Sequence, residues 1–200
     1  RVTPPAGSMG RASPGHTLRI LDPEGNALPP GGLGTICVKA PDPVMFLEYW
    51  NNPQATAEKF ITDAAGDRWL DTGDKATMDD EGWITFVGRA DDVINSAGYR
   101  IGPAEVENSL MSHPAVASSA VIGVPDEARG ELVKAFIILK DGQTPSDALA
   151  GDIQNHVKRR LAAHEYPRAV EFVSELPMTT TGKIQRKVLR EREAAKAGAA

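Results

Sequence analysis

The 200-residue chain has a single cysteine, Cys37. One thiol forms no intramolecular disulfide and cannot build a thiolate zinc site. No apolar run approaches the ~18–20 residues that a membrane-spanning helix needs. Positive charge is not in excess either: 22 Lys and Arg stand against 27 Asp and Glu, a net charge of -5. That balance leaves no electrostatic footprint for a polyanionic duplex and excludes a general nucleic-acid binder. Residue 1 is Arg, and no basic-then-apolar signal segment follows it. With 41% hydrophobic and 24% charged residues, the composition is that of globular chains of one or two domains. A cytoplasmic, soluble chain is expected, read as a piece of a longer protein. Residues 193–200, nearly all small or charged, have little apolar surface to offset their ordering entropy, so a frayed tail is expected.

Up to Arg89 the text is short β-patterned runs punctuated by Gly and Pro. Thr17–Leu21 alternates with period two, and Gly34–Lys39 reads as a second strand. Asn52-Pro53 ahead of helix formers predicts a short capped helix. Arg68–Met78 and Trp83–Gly88 flank the turn Asp79–Gly82 and read as a hairpin. After Arg89 the pattern is mixed. Val93–Ile101 predicts a tight hairpin with Gly98 at positive φ. Pro103 opens an amphipathic helix that His113-Pro114 ends. Val116–Val124 is nearly all apolar and reads as a central strand. Glu131–Lys140 and Val170–Val173 are further strands, with a helix over 146–163 and a basic one from Arg186. The boundary is placed near Asp91, and the fold class is α+β. A β-rich, distorted barrel-like unit over 1–90 precedes a small mixed α/β domain over 91–192, whose central sheet is flanked by helices.

Three blocks carry chemistry. In Asp71-Thr72-Gly73-Asp74, a carboxylate held by a Thr-Gly turn at a strand end can accept both vicinal hydroxyls of a ribose; the bland alternative is an Asp capping its own turn. Gly88-Arg89-Ala90-Asp91-Asp92 through Glu107 gathers two arginines, acidic residues and a glycine hairpin at the domain boundary, where ligands and hinges are found. Arginine suits forked contacts with phosphate or ribose oxygens, yet Arg89 could equally pair with Asp91 or Asp92. In Thr179-Thr180-Thr181-Gly182-Lys183, Ile184 stands where a Walker loop needs Ser or Thr, so that reading fails. A Lys on a mobile loop can still swing onto a phosphate or carboxylate.

In this order and spacing the blocks resemble the C-terminal part of the adenylate-forming superfamily, which comprises acyl-CoA synthetases, peptide-synthetase adenylation domains and luciferases. The resemblance spans about residues 8–192. The run Asp91–Glu107 is similar to acetyl-, medium-chain acyl- and benzoate-type CoA ligases, and Ala115–Phe136 with His164–Arg168 to the medium-chain group.

The resemblance implies an AMP-forming acid-thiol ligase that activates a short- to medium-chain fatty or aromatic acid with ATP and passes it to CoA. Asp74 then binds the ribose hydroxyls, Arg89 the ribose or phosphate side, and Asp91 is the hinge for turning the second domain. Lys183 is the catalytic lysine bridging acyl carboxylate and α-phosphate, and Arg100 lies near the AMP phosphate. Ala97, Gly98, Tyr99 and Arg100 flank the pantetheine path, while Arg129, Lys158, Tyr166, Pro167 and Arg168 meet the nucleotide end of CoA. Mg2+ ligands and the acyl pocket are expected in a preceding core, with no metal ligands in 1–200 and no turnover by this piece alone. Ala97 replaces the Ser often found there. Lys183 is also a target for a lysine acetyltransferase and deacetylase, because acetylation removes its charge. The competing readings are a module loading a carrier protein and a non-catalytic interaction domain. Cys37, Trp50, Trp69 and Trp83 read as packing residues, His16, His113, His156 and His164 as unclustered surface or capping groups, and Arg186, Lys187, Arg190 and Arg192 as a solvated helix face.

Overall fold

The computed structural model describes residues 3–198. The chain divides into two compact units, Arg1–Asp91 and Asp92–Ala200. The first holds β1 (Leu18–Leu21), β2 (Gly34–Lys39), α1 (Pro53–Ala57), β3 (Phe60–Thr62), β4 (Arg68–Met78) and β5 (Ile84–Arg89). They form an antiparallel five-stranded sheet in the order β1-β2-β4-β3, with β5 on the second half of β4. Alternation along the strands sends Ile20, Ile36, Ala76 and Ile84 into one cluster and Leu21, Cys37 and Trp69 into another. Asn52 caps α1 by accepting the Ala55 N–H at 3.0 Å, with Pro53 in the first turn.

Trp69 and Trp83 pack as expected, but Trp50 does not. It is 86% exposed beside Val44 at 79% and Leu47 at 91%, on the loop between β2 and α1. Cys37 is fully buried, and burial, reinforced by the Asp71 charge, pushes its thiol up to about 12. It is a core residue without reactive thiolate.

The second unit holds β6 (Ile94–Ser96), β7 (Tyr99–Ile101), α2 (Pro103–Met111), β8 (Val116–Asp126), β9 (Gly130–Leu139), α3 (Asp147–Arg160), β10 (Ala169–Phe172) and α4 (Arg186–Gly198). Its sheet runs β10-β9-β6-β7 with β8 on β9, and only the β10–β9 pair is parallel. Val121, Val133, Ala135 and Ile137 meet Val106 and Leu110 of α2 and Ile153 and Val157 of α3. The alternate residues Ala120, Ile122 and Phe136 meet Leu176 and Leu189 of α4.

β8 corrects the expectation of a central strand: among the named strands it pairs with β9 alone, and β9 is central. Helices cover both faces of β8, and that two-sided burial is what its continuous apolar run reports. Residues 193–198 of the tail expected to fray lie in the last helix. The last helix continues to Gly198, because alanines favour helix and Lys196 donates to Glu171 and Glu193 at 2.8–3.0 Å. Residues 199 and 200 of that tail lie outside the described residues.

Candidate functional site

In the first unit, Asp71–Asp74 does not sit at a strand end; it lies in the middle of the eleven-residue β4. Thr35 faces Lys75 and Cys37 faces Asp71, so Thr72, Gly73 and Asp74 bulge out opposite the single residue Ile36. The bulge is tied down on several sides. Thr72 Oγ1 donates to the Ile36 carbonyl at 2.8 Å, the Gly73 N–H donates to Asp71 Oδ1 at 2.6 Å, and the Ala90 N–H donates to the Gly73 carbonyl at 2.8 Å. The two carboxylates of the tetrapeptide are held differently. Asp71 caps its own turn, while Asp74 turns to Arg89.

Gly73 has φ of +75°, and a Cβ there would lie 2.9 Å from Arg89 Nη2, so the guanidinium lies against bare backbone. From that seat Arg89 Nη1 donates to the Thr72 carbonyl at 3.1 Å and to Asp74 Oδ1 at 3.0 Å. Its Nε stands 3.6 Å from Asp91 Oδ1. Asp74, Arg89 and Asp91 thus come together. The Arg89 and Asp74 side chains keep 48% and 34% of their exposure, and among the described residues nothing bonds Asp74 Oδ2.

In the second unit the hairpin turns on Ala97 and Gly98, with φ of +51° and +82°. Two positive values define the turn that twists with its strands. Gly98 supplies its value at no cost, but Ala97 is strained there, and such strain gathers at functional sites. A Cβ on Gly98 would meet nothing within 4 Å, so the tip is open. The Ala97 N–H donates to the Arg129 carbonyl at 2.8 Å, which brings the β8–β9 turn to the hairpin. Tyr99 stacks on His164 at 3.7 Å between ring centroids, 11° from parallel. Around the buried Pro167, Arg168 Nη1 donates to the Tyr166 hydroxyl at 3.0 Å. The Lys158 ammonium and the Arg168 guanidinium lie 5.4 and 4.8 Å from the Tyr166 ring. Tyr99 thus meets the loop that carries Tyr166, Lys158 and Arg168 gather on the Tyr166 ring, the Arg129 backbone meets the hairpin tip, and Arg100 is exposed on β7 opposite Asn95.

Lys183 sits elsewhere in this unit, exposed at the end of a tight turn. The loop expected to be mobile is closed by hydrogen bonds. The Gly182 N–H donates to the Thr179 carbonyl at 2.9 Å, the Lys183 N–H to Thr179 Oγ1 at 3.0 Å, and the Thr179 N–H to the Lys183 carbonyl at 2.8 Å.

Two clusters escaped the sequence reading. Arg186 and Arg190 are not a solvated face. Arg186 Nη2 donates to Glu107 Oε2 at 2.7 Å and to Oε1 at 2.9 Å, and its Nη1 to Asp92 Oδ2 at 3.2 Å. Arg190 Nη1 donates to Asp92 Oδ1 at 2.8 Å. Burial pushes the Glu107 carboxyl above its ordinary value against the pull of Arg186. Burial works against the Arg186 charge as well, but Glu107 and Asp92 raise its pKa all the same. The available signal was position: Arg186 opens α4, where the helix dipole disfavours a cation without partners.

The histidines are not all unclustered. His113, 4% exposed, places Nε2 3.2 Å from Asp152 Oδ2 and meets the His156 ring edge-on at 5.1 Å. Burial, then the charges of His113, Arg160 and Arg159, hold His156 below its ordinary pKa. Nothing in the sequence pairs residues so far apart in the chain. Among the described residues no group of three or more His, Cys, Asp or Glu side chains is placed to hold a metal ion.

Residues 105–183 match the AMP-binding enzyme C-terminal domain. The chain is 52% identical over 192 residues to the mitochondrial acyl-coenzyme A synthetase ACSM1 of Mus musculus, covering 94% of this chain and 33% of that protein. It is 47% identical over 184 residues to the acetyl-coenzyme A synthetase of Bacillus subtilis (strain 168), covering 92% and 32%. Among solved structures, it is similar to the anthranilate CoA ligase AuaEII in complex with anthranoyl-AMP. That likeness has a TM-score of 0.82 at 41% identity and covers 96% of this chain and 35% of that one. The chain spans about a third of the length of the curated relatives it matches.

Proposed function

We propose that the chain is a C-terminal part of an AMP-forming acyl-CoA ligase: residues 105–183 match the AMP-binding enzyme C-terminal domain, and the longer proteins that the chain resembles are acyl- and acetyl-CoA synthetases. The enzyme activates a short- to medium-chain fatty or aromatic carboxylic acid as its acyl-adenylate and transfers the acyl group to CoA. The second unit turns about Asp91 between the two half-reactions.

The observation that carries the reading is the Asp74–Arg89 pair on its fixed bulge. Arg89 is held by Thr72, Gly73 and Asp74, and Asp74 keeps Oδ2 for a ligand. A carboxylate with one oxygen engaged and one free accepts from vicinal ribose hydroxyls, while Arg89 retains donors for phosphate or ribose oxygens. Lys183, exposed at the end of its turn, orients the acyl carboxylate against the α-phosphate and offsets the charge that grows as pyrophosphate leaves. No general base is needed, because the attacking carboxylate is already ionised.

For the thioester step, the open tip at Gly98 lets pantetheine pass close to the backbone. Arg100 faces the AMP phosphate, and Arg129, Lys158 and Tyr166 to Arg168 take the phosphates and base of CoA. Stacking on Tyr99 and Tyr166 suits a flat base, and the neighbouring cations suit phosphate.

The test uses the full-length enzyme carrying this chain, with CoA as the sole acyl acceptor. Lys183→Ala is expected to lower carboxylate-dependent ATP–pyrophosphate exchange by about 100-fold or more. Acyl-CoA formation from supplied acyl-adenylate should stay within about threefold of the parent. Equal loss of both half-reactions removes Lys183 from its role, and absence of any acyl-CoA product overturns the ligase assignment.

A further inference from the structure

The cluster of Arg186, Arg190, Glu107 and Asp92 takes no part in the mechanism above, yet it joins two places on which that mechanism depends. Asp92 follows Asp91 directly and is the first residue of the second unit. Arg186 is three residues beyond Lys183, within about 10 Å of chain, and opens α4. Its guanidinium uses all of its nitrogens, Nε and Nη2 on Glu107 and Nη1 on Asp92. Arg190, one turn on, takes the other oxygen of Asp92. Glu107 is fixed in turn, since its Oε1 accepts the outward N–H of Val121 on β8 at 2.8 Å.

We propose that Arg186 is a positioning residue for adenylation: its fork onto Asp92 and Glu107 keys the root of the Lys183 turn to the first residue after the hinge. Rotation at Asp91 then carries the lysine as part of a rigid body. The proposal rests on the roles read above for Lys183 and Asp91.

Three features favour positioning over simple adhesion. The Arg186, Glu107 and Asp92 side chains are only 20%, 14% and 12% exposed, so their charges are taken out of reach of ligand and salt. The fork is directional, and a guanidinium bridging two carboxylates fixes orientation as well as distance. Adhesion of α4 is already supplied by Leu189 in the core and by Lys134 and Lys196, which bind Glu171 and Glu193 toward the far end of the helix. What those contacts leave undetermined is the register of the first turn of α4, from which the Lys183 turn hangs. A displacement of about 1 Å in a reacting group is enough to cost on the order of 100-fold in rate.

The experiment measures both half-reactions in the full-length enzyme for Arg186→Met, Arg186→Lys, Asp92→Asn and Lys183→Ala, with thermal midpoints alongside. Arg186→Met is expected to lower kcat for pyrophosphate exchange by about 10–100-fold with KM for ATP within about twofold. Thioester formation from supplied acyl-adenylate should be spared to within about threefold. Arg186→Lys, which keeps the charge but loses the fork, should recover part of the loss. Asp92→Asn, which leaves the Glu107 fork intact, should show the same split at about 3–10-fold, and it decides the matter if Arg186→Met fails to fold.

Parallel loss of both half-reactions in these variants, or adenylation untouched in all of them, overturns the proposal. Lys183→Ala separates the two possible failures. If it leaves adenylation intact, the reading of Lys183 falls and the proposal with it. If it abolishes adenylation while the Arg186 and Asp92 variants do not reduce it, the proposal alone falls.

Discussion

Arg89 with Asp74 and Arg186 with Glu107 and Asp92 are built from the same two chemical groups and serve opposite ends. The first pair stands on a bulge with close to half of the arginine exposed, and one oxygen of its carboxylate is left over. The second arginine is mostly buried, spends every nitrogen on protein carboxylates, and its Glu107 partner also takes a backbone N–H. An exposed pair has little net worth to the fold, because water competes for both partners and the side chains lose freedom in meeting. Its donors and acceptors therefore remain available to a ligand. A buried pair is costly to break, because removing one partner leaves a charge with neither water nor counter-ion. It suits holding an element in register.

The contrast breaks most sharply at Glu107. Glu107→Ala leaves Arg186 with Asp92 alone and strips the Val121 N–H of its acceptor, and it should lower unfolding stability by about 3–5 kcal/mol. Chemical denaturation of the full-length enzyme measures this, and a loss below about 1 kcal/mol would place the cluster with ordinary surface pairs.

Asp74→Asn is the counterpart on the exposed side. It keeps the shape and should change stability by less than about 1 kcal/mol while weakening nucleotide binding by about tenfold or more. Titration with AMP alongside the denaturation curve reads both numbers. A variant that binds AMP like the parent would take the ribose role away from Asp74.

The smallest effect concerns a site between these extremes, half-buried His156 beside buried His113. Burial and the neighbouring positive groups lower the folded-state pKa of His156 below its ordinary 6.5, so the unfolded chain binds its proton more readily than the folded one. Its contribution to stability is fully present above that ordinary value and is lost as pH falls through the lower folded-state value. The thermal midpoint should therefore drop on acidification below neutrality, and His156→Gln should flatten the dependence. An unchanged slope in that variant assigns the dependence to other groups.

Much of the molecule was legible in the sequence because its signals are local. Asn52-Pro53 sets the start of α1, Ala97-Gly98 the turn of the hairpin, Pro103 the start of α2, and Ser146 caps α3 by accepting the Leu149 N–H at 3.2 Å. Each depends on backbone geometry within a few residues. Asp74, Arg89 and Lys183 were found as members of ordered blocks, and the geometry adds how each is held. The readings that failed all assumed that local pattern reports tertiary place. The apolar run of β8 reflected helices on both its faces and said nothing about its position in the sheet. The basic run of α4 looked solvated, because Asp92 and Glu107 lie 94 and 79 residues from Arg186.

Taken by itself, the sequence determined the order of the elements, the boundary near Asp91, and the blocks that hold Asp74, Arg89 and Lys183, since turn chemistry and motif spacing are properties of neighbouring residues. Only the tertiary structure decided which of two carboxylates in Asp71–Asp74 caps its turn and which faces Arg89, and which arginines face water and which are consumed inside. Those outcomes depend on how much solvent each charge loses when distant segments pack together. Solvent access belongs to the folded surface, and no stretch of sequence contains it.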